Sequence, residues 1–105
     1  MASGKEYLDF ILEQLSGLEG ITFKPMIGEY ILYMHGRIFG GIYDDRFLVK
    51  PTKTAMDMMP DAVRELPYEG AKEMLLVDNV DNREFLEELL TGMYDELPAP
   101  KQKKK

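Results

Sequence analysis

Residues 26–50, MIGEYILYMHGRIFGGIYDDRFLVK, hold three apolar runs separated by His35-Gly36 and Asp44-Asp45. Short runs rich in β-branched and aromatic residues, bounded by such pairs, predict strands joined by tight turns. The expected strands lie near 29–34, 37–43 and 46–50, in an antiparallel meander. If both breaks are two-residue turns, the register follows. Tyr33 then faces Ile38, Ile31 faces Gly40, Tyr30 faces Gly41, Ile42 faces Phe47 and Gly40 faces Val49. One sheet face carries Ile31, Tyr33, Ile38, Ile42, Phe47 and Val49. The other carries Tyr30, Leu32, Met34, Phe39, Tyr43 and Leu48. Both faces are apolar, whereas a half-exposed antiparallel sheet alternates apolar with polar residues. Helices can cover one face. The other calls for a second chain, because large apolar patches rarely stay exposed, and this predicts a homodimer.

The flanking segments predict those helices. Ser3-Gly4-Lys5-Glu6 is a capping-box pattern, and Leu8, Ile11, Leu12 and Leu15 follow one helix face. A helix is expected near 4–16, ended by Gly17 in the left-handed conformation. Ile21 to Lys24 reads as a strand that Pro25 confines to an edge or an end. Thr52-Lys53-Thr54 caps a short helix through Met56–Met59, broken near Pro60, and Asp61 to Glu65 adds another turn. Pro67-Tyr68-Glu69-Gly70 is a loop, and Met74–Val77 is a buried strand. Asp81 with Glu84 forms a second capping pattern, flanked by Val80 and Phe85 as a staple. Phe85, Leu86, Leu89, Leu90, Met93 and Leu97 mark an amphipathic helix near 82–96. The fold class expected is α+β, an antiparallel sheet with flanking helices in the order α-β-β-β(-β)-α-β-α. Residues 1–97 form one domain in this reading, and Pro98-Ala99-Pro100 leads into a flexible basic tail over 98–105.

Composition narrows the function classes. With 105 residues the chain is the size of one compact domain. It contains no cysteine, which excludes disulfides, thiolate catalysis and cysteine-ligated metal within it and fits a cytoplasmic location. No apolar run approaches the roughly 20 residues that span a bilayer, and MASGKEYLDF has no long apolar segment of the kind a secretory signal carries. The formal net charge of −6 argues against broad, sequence-independent nucleic-acid binding. The Lys101–Lys105 tail reads as a solvated end or as a tether to an acidic surface.

No catalytic set, metal site or cofactor motif emerges. His35, the single histidine, reads as a hairpin-turn residue. Gly36-Arg37-Ile38-Phe39-Gly40-Gly41 matches neither a dinucleotide-binding fingerprint nor a Walker loop, because both need a helix where a strand follows here. Gly40 and Gly41 instead predict close approach, with Tyr30 or another aromatic lying over a position that lacks a side chain, or a bend of the strand there. Asp78-Asn79-Val80-Asp81-Asn82 lacks the spacing and glycine of a calcium loop. Asp57, Asp61, Glu65 and Glu69 read as a solvated acidic surface. Met56, Met58 and Met59 read as core filling or as an adaptable binding surface. The candidate interaction surface is therefore Tyr30, Leu32, Met34, Phe39, Tyr43, Leu48, Met56, Met58 and Met59. Arg37, Arg46 and Lys50 are a candidate anion-contacting edge.

Met26-x-Gly28-x-Tyr30-x-Leu32, Gly36-x-Ile38-Phe39-Gly40, Asp45-x-Phe47-x-Val49-Lys50 and Glu73-Met74 together resemble the N-terminal domain of the TfoX/Sxy competence-regulator family over residues 5–95. The resemblance implies an α+β domain similar to the secretion-chaperone-like layout. It also implies a part in natural-competence regulation, with a transcription regulator as protein partner. The expected function is thus a non-enzymatic regulatory or protein-interaction module. The alternatives are a nucleic-acid-associated regulator using the basic edge and lysine tail, and a small-ligand binder or enzyme with a pocket between the sheet and residues 56–69.

Overall fold

The computed structural model describes residues 4–26, 29–67 and 69–97. The elements run α1 (Lys5–Gln14), β1 (Ile21–Met26), β2 (Glu29–Met34), β3 (Arg37–Tyr43), β4 (Arg46–Val49), α2 (Lys53–Met58), β5 (Arg64–Glu65), β6 (Met74–Leu76) and α3 (Arg83–Tyr94). The strands form one six-stranded sheet in the order β1-β2-β3-β4-β6-β5, with every neighbouring pair antiparallel. The architecture is α+β, as the meander and flanking amphipathic segments imply.

Both meander turns have two residues, and each needs positive φ twice: His35 at 50° with Gly36 at 83°, and Asp44 at 54° with Asp45 at 56°. Positive φ at both central positions matches the strand twist, and aspartate tolerates it better than most side chains. The expected register holds from Ile42 with Phe47 to Gly40 with Val49, and at Tyr33 with Ile38. Between these it fails. Leu32 pairs with Gly40, Ile31 with Gly41 and Tyr30 with Ile42, because the ladder shifts between Leu32 and Tyr33. Phe39 is the extra residue of a β-bulge.

That one residue regroups the faces. Directly paired residues share a face, and a one-residue slip moves every later side chain across the sheet. Tyr30, Leu32 and Met34 therefore lie with Ile42, Phe47 and Val49, whereas Ile31, Tyr33 and Ile38 lie with Tyr43 and Leu48. The first group faces the helices. Leu32, Phe39, Ile42, Phe47 and Val49 are fully buried, in one cluster with Leu8, Ile11 and Leu15 from the α1 segment, Ala55 of α2 and Leu86, Leu89 and Leu90 of α3. The Phe39 and Phe47 rings meet edge to face at 6.4 Å. Tyr43 and Leu48 are also buried but belong to no part of that cluster. They form the second, smaller interior.

Local differences from expectation have local causes. The N-cap of α1 is Gly4 without a side-chain cap bond; its amide donates instead to Asp45 Oδ1 at 2.9 Å, and Ser3 lies outside the described residues. Helix α1 closes at Leu15, with φ −97°, and the left-handed glycine in this connection is Gly20 at φ 77° rather than Gly17. A Cβ on Gly20 would sit 2.4 Å from the His35 ring, which also lies edge-on to Tyr94 at 5.8 Å. Thr52 caps α2 by accepting from the Ala55 amide at 3.1 Å. The Asp61–Glu65 turn is corrected to strand β5, because Arg64 and Glu65 pair with Leu75 and Met74 of β6. Asn82, not Asp81, caps α3, accepting from the Phe85 amide at 3.0 Å. The 98–105 tail lies outside the described residues.

At the two sheet edges, β1 contains Pro25 opposite Tyr30 and β5 has two residues. The Tyr30 carbonyl points toward β3, since a Cβ on Gly41 would meet it at 2.6 Å. Antiparallel residues turn both backbone groups to the same side, so Pro25 directs its missing N–H outward.

The second sheet face and its groove

The predicted interaction surface does not form one surface. Leu32, Met34 and Phe39 are buried in the helix-side core. Tyr30 is half-buried beside them, with its ring edge-on to Phe23 at 5.9 Å. Tyr43 and Leu48 are buried on the opposite face. Met58 and Met59 pack against the main core, and the exposed Met56 accepts a 3.5 Å contact from the Arg64 guanidinium. The bulge accounts for the regrouping, and the helices account for the burial.

The predicted anion edge separates as well. Arg37 Nη1 donates to the Tyr94 and Leu97 carbonyls at 3.1 and 3.2 Å, and the guanidinium lies 4.5 Å over the Tyr94 ring. It closes the C-terminal turn of α3, whose last carbonyls lack helical partners. Arg46 stands at the other end of the meander, donating to the Tyr43 carbonyl at 3.0 Å and pairing with Glu65. Lys50, the third, lines a cavity.

That cavity is a groove of about 540 Å³ on the second face. Ile31, Ile38, Tyr43, Pro67 and Met74 supply its apolar lining, with Lys50, Lys72 and Glu73 as its charged groups. The glycines shape it. A Cβ on Gly41 would fall 2.7 Å from the Tyr43 ring, so Tyr43, rather than Tyr30, is the aromatic that packs against the position with no side chain. A Cβ on Gly40 would fall 2.1 Å from the Leu48 carbonyl oxygen, so β3 and β4 approach too closely there for any side chain. Gly70 turns the overlying segment at φ 88°. Pro67 and the Gly70–Met74 stretch thus cover the Tyr43–Leu48 end of the face. The other end stays open: Ile38 is 37% and Met26 42% exposed, and Tyr33 is half-buried.

The cations differ in whether they are engaged. Lys5 pairs with Asp9 and Lys53 with Asp57; Arg83 donates to the Ser16 hydroxyl; Arg37, Arg46 and Arg64 are engaged as above. Among the described residues, the basic groups with no such partner are Lys24, Lys50 and Lys72. Lys24 sits opposite Ile31, on the second face. Sequence reasoning singled out Lys50 but not Lys72 or Pro67, because their juxtaposition depends on β5 and β6 pairing beside β4.

The titratable groups that depart from their ordinary values stand outside the groove. Burial and then the nearby Asp45 carboxylate push the Tyr7 phenol up. Hydrogen bonds from the Thr54 hydroxyl and amide to Glu96, at 2.6 and 2.9 Å, lower its carboxyl. This contact fastens α2 to the end of α3. Hydrogen bonding and charge from Asp57 raise the Lys53 ammonium. Among the described residues no helix is long and apolar enough to cross a membrane, and no group of three or more His, Cys, Asp or Glu converges as a metal site would require.

A relative from Spirochaeta aurantia, the "Uncharacterized 12.7 kDa protein in trpE 5'region", is 31% identical over 105 residues, covering 99% of this chain and 91% of the relative. No solved structure matches the chain. The family model for the TfoX N-terminal domain matches residues 13–88, a span that runs from the end of α1 through the whole sheet into α3. The chain belongs to the TfoX N-terminal domain family.

Proposed function

We propose that this chain is a non-enzymatic regulatory module that acts by protein docking, with a second copy of itself seated on the open end of the second sheet face. The carrying observation is the strip of Met26, Tyr33 and Ile38, left uncovered beside a covered half of the same face. Its charges suit a two-fold partner. Lys24 lies opposite Ile31 and Glu29 opposite Met26, so both signs of charge border the strip, and a two-fold axis between them would set Lys24 against Glu29 of the second copy. Such an interface is isologous, the commonest arrangement in soluble dimers. The resemblance to competence regulators supports the regulatory part of the reading and a transcription regulator as the protein this dimer would meet.

Light scattering on the full chain at high micromolar concentration tests it. The expected mass is twice 12.1 kDa, and Tyr33→Glu, which leaves the groove lining intact, returns the monomer. A monodisperse 12.1 kDa species for the unsubstituted chain sinks the proposal.

A further inference from the structure

We propose that the groove beneath Pro67 and Gly70–Met74 is a binding site for a small anionic amphiphile: one unbranched apolar chain ending in a single anionic head. The inference rests on the groove and its lysines, not on the docking reading. Its volume of about 540 Å³ lies within the roughly 300–1,000 Å³ usual for small-molecule sites. Ile31, Tyr43, Pro67 and Met74 offer apolar surface along its length, away from the strip of Met26 and Tyr33. An apolar chain laid there removes water from both partners.

The head is fixed by charge. Acidic residues outnumber basic ones 19 to 13, so an unpaired cation is not short of carboxylates to find. Yet Lys50 and Lys72, both lining this groove, have no carboxylate partner among the described residues. Lys50 is half-buried and Lys72 exposed. Glu73, the carboxylate in the lining, forms no ion pair with either. Two ammonium groups on flexible stems hold an anion as point charges, without the fixed fork by which arginine selects one head geometry. The structure therefore assigns the sign of the head and leaves its shape open.

Nitrogen-15 NMR titration of the full chain with sodium decanoate, kept below its micelle concentration, tests the site, with decanol and decyltrimethylammonium in parallel. Decanoate is expected to shift the Gly41, Tyr43, Ala71 and Met74 amides saturably. Decanol should bind more weakly and the ammonium amphiphile not at all. Combining Lys72→Glu with Lys50→Gln should weaken decanoate at least about tenfold, the low end of one charge-assisted contact. Lys72→Glu alone, at an exposed position, should keep the wild-type spectrum and still lose affinity. Overturning results are a response that does not saturate, equal affinity for decanol, unchanged affinity in the lysine variants, or shifts confined to the crevice lined by Leu12, Leu15 and Phe23. Failure here leaves the mass of the chain, and so the docking reading, untouched.

Discussion

The helix-covered and opposite faces of this sheet are built from the same residue types, yet they are finished differently. On the first, Leu32, Phe39, Ile42, Phe47 and Val49 are sealed beneath three helices. On the second, Tyr43 and Leu48 are buried, with the Tyr43 ring against Gly41, while Tyr33, Ile38 and Met26 retain solvent contact. Apolar composition alone does not make a core. What separates the two is whether a regular element with its own apolar stripe arrives to cover the side chains. Basic side chains differ too: Lys24, Lys50 and Lys72 on the second face have no partner among the described residues, although Arg46 on that face pairs with Glu65.

Substitutions measure how deep that division runs. Phe47→Ala should cost about 3–5 kcal/mol in urea unfolding, as expected for removing a fully buried aromatic ring. Ile38→Ala on the open face should cost under about 1 kcal/mol in the same assay. Comparable losses would erase the distinction between the faces. Gly41→Ala attacks the second interior from beneath: its Cβ would meet the Tyr30 carbonyl at 2.6 Å and the Tyr43 ring at 2.7 Å. A loss of about 1–3 kcal/mol is expected, with the Tyr43 ring displaced in NMR spectra. A neutral result would mean that the ring is not seated there. The smallest effect concerns the polar clamp in the helical layer. The Glu96 carboxyl titrates below its unfolded value because Thr54 donates to it. Its contribution is therefore present at neutral pH and lost as pH falls through the lowered value. Glu96→Gln should flatten that part of the decline in the urea midpoint between neutral and acidic pH. An identical acid profile would remove the clamp from the account.

Much of the fold was legible in the chain because its punctuation is local. His35-Gly36 and Asp44-Asp45 announce turns by their own backbone preferences, and the periodic leucines of α1 and α3 announce buried stripes. The bulge at Phe39 was not legible: nothing in Arg37–Tyr43 distinguishes an extra residue from a paired one until β2 is laid against it. That single slip split both predicted faces, parting Ile31, Tyr33 and Ile38 from Ile42, Phe47 and Val49, and Tyr43 and Leu48 from Tyr30, Leu32, Met34 and Phe39. Strand β5 has two residues and exists only through β6, so Asp61–Glu65 read as a turn. The candidate site suffered most. A lysine's lack of a partner is a property of its surroundings, and Arg37 read as available because the α3 carbonyls that hold it lie 57 and 60 residues away.

The edges of the sheet constrain how copies of this chain can meet. An open edge strand invites backbone pairing with another molecule, the route by which sheets extend into fibres. Here one edge offers a proline without a donor and the other a strand only two residues long. Growth in the plane of the sheet is blunted at both ends, so the docking proposed above, across the surface and closed by a two-fold axis, is the route the edges leave open.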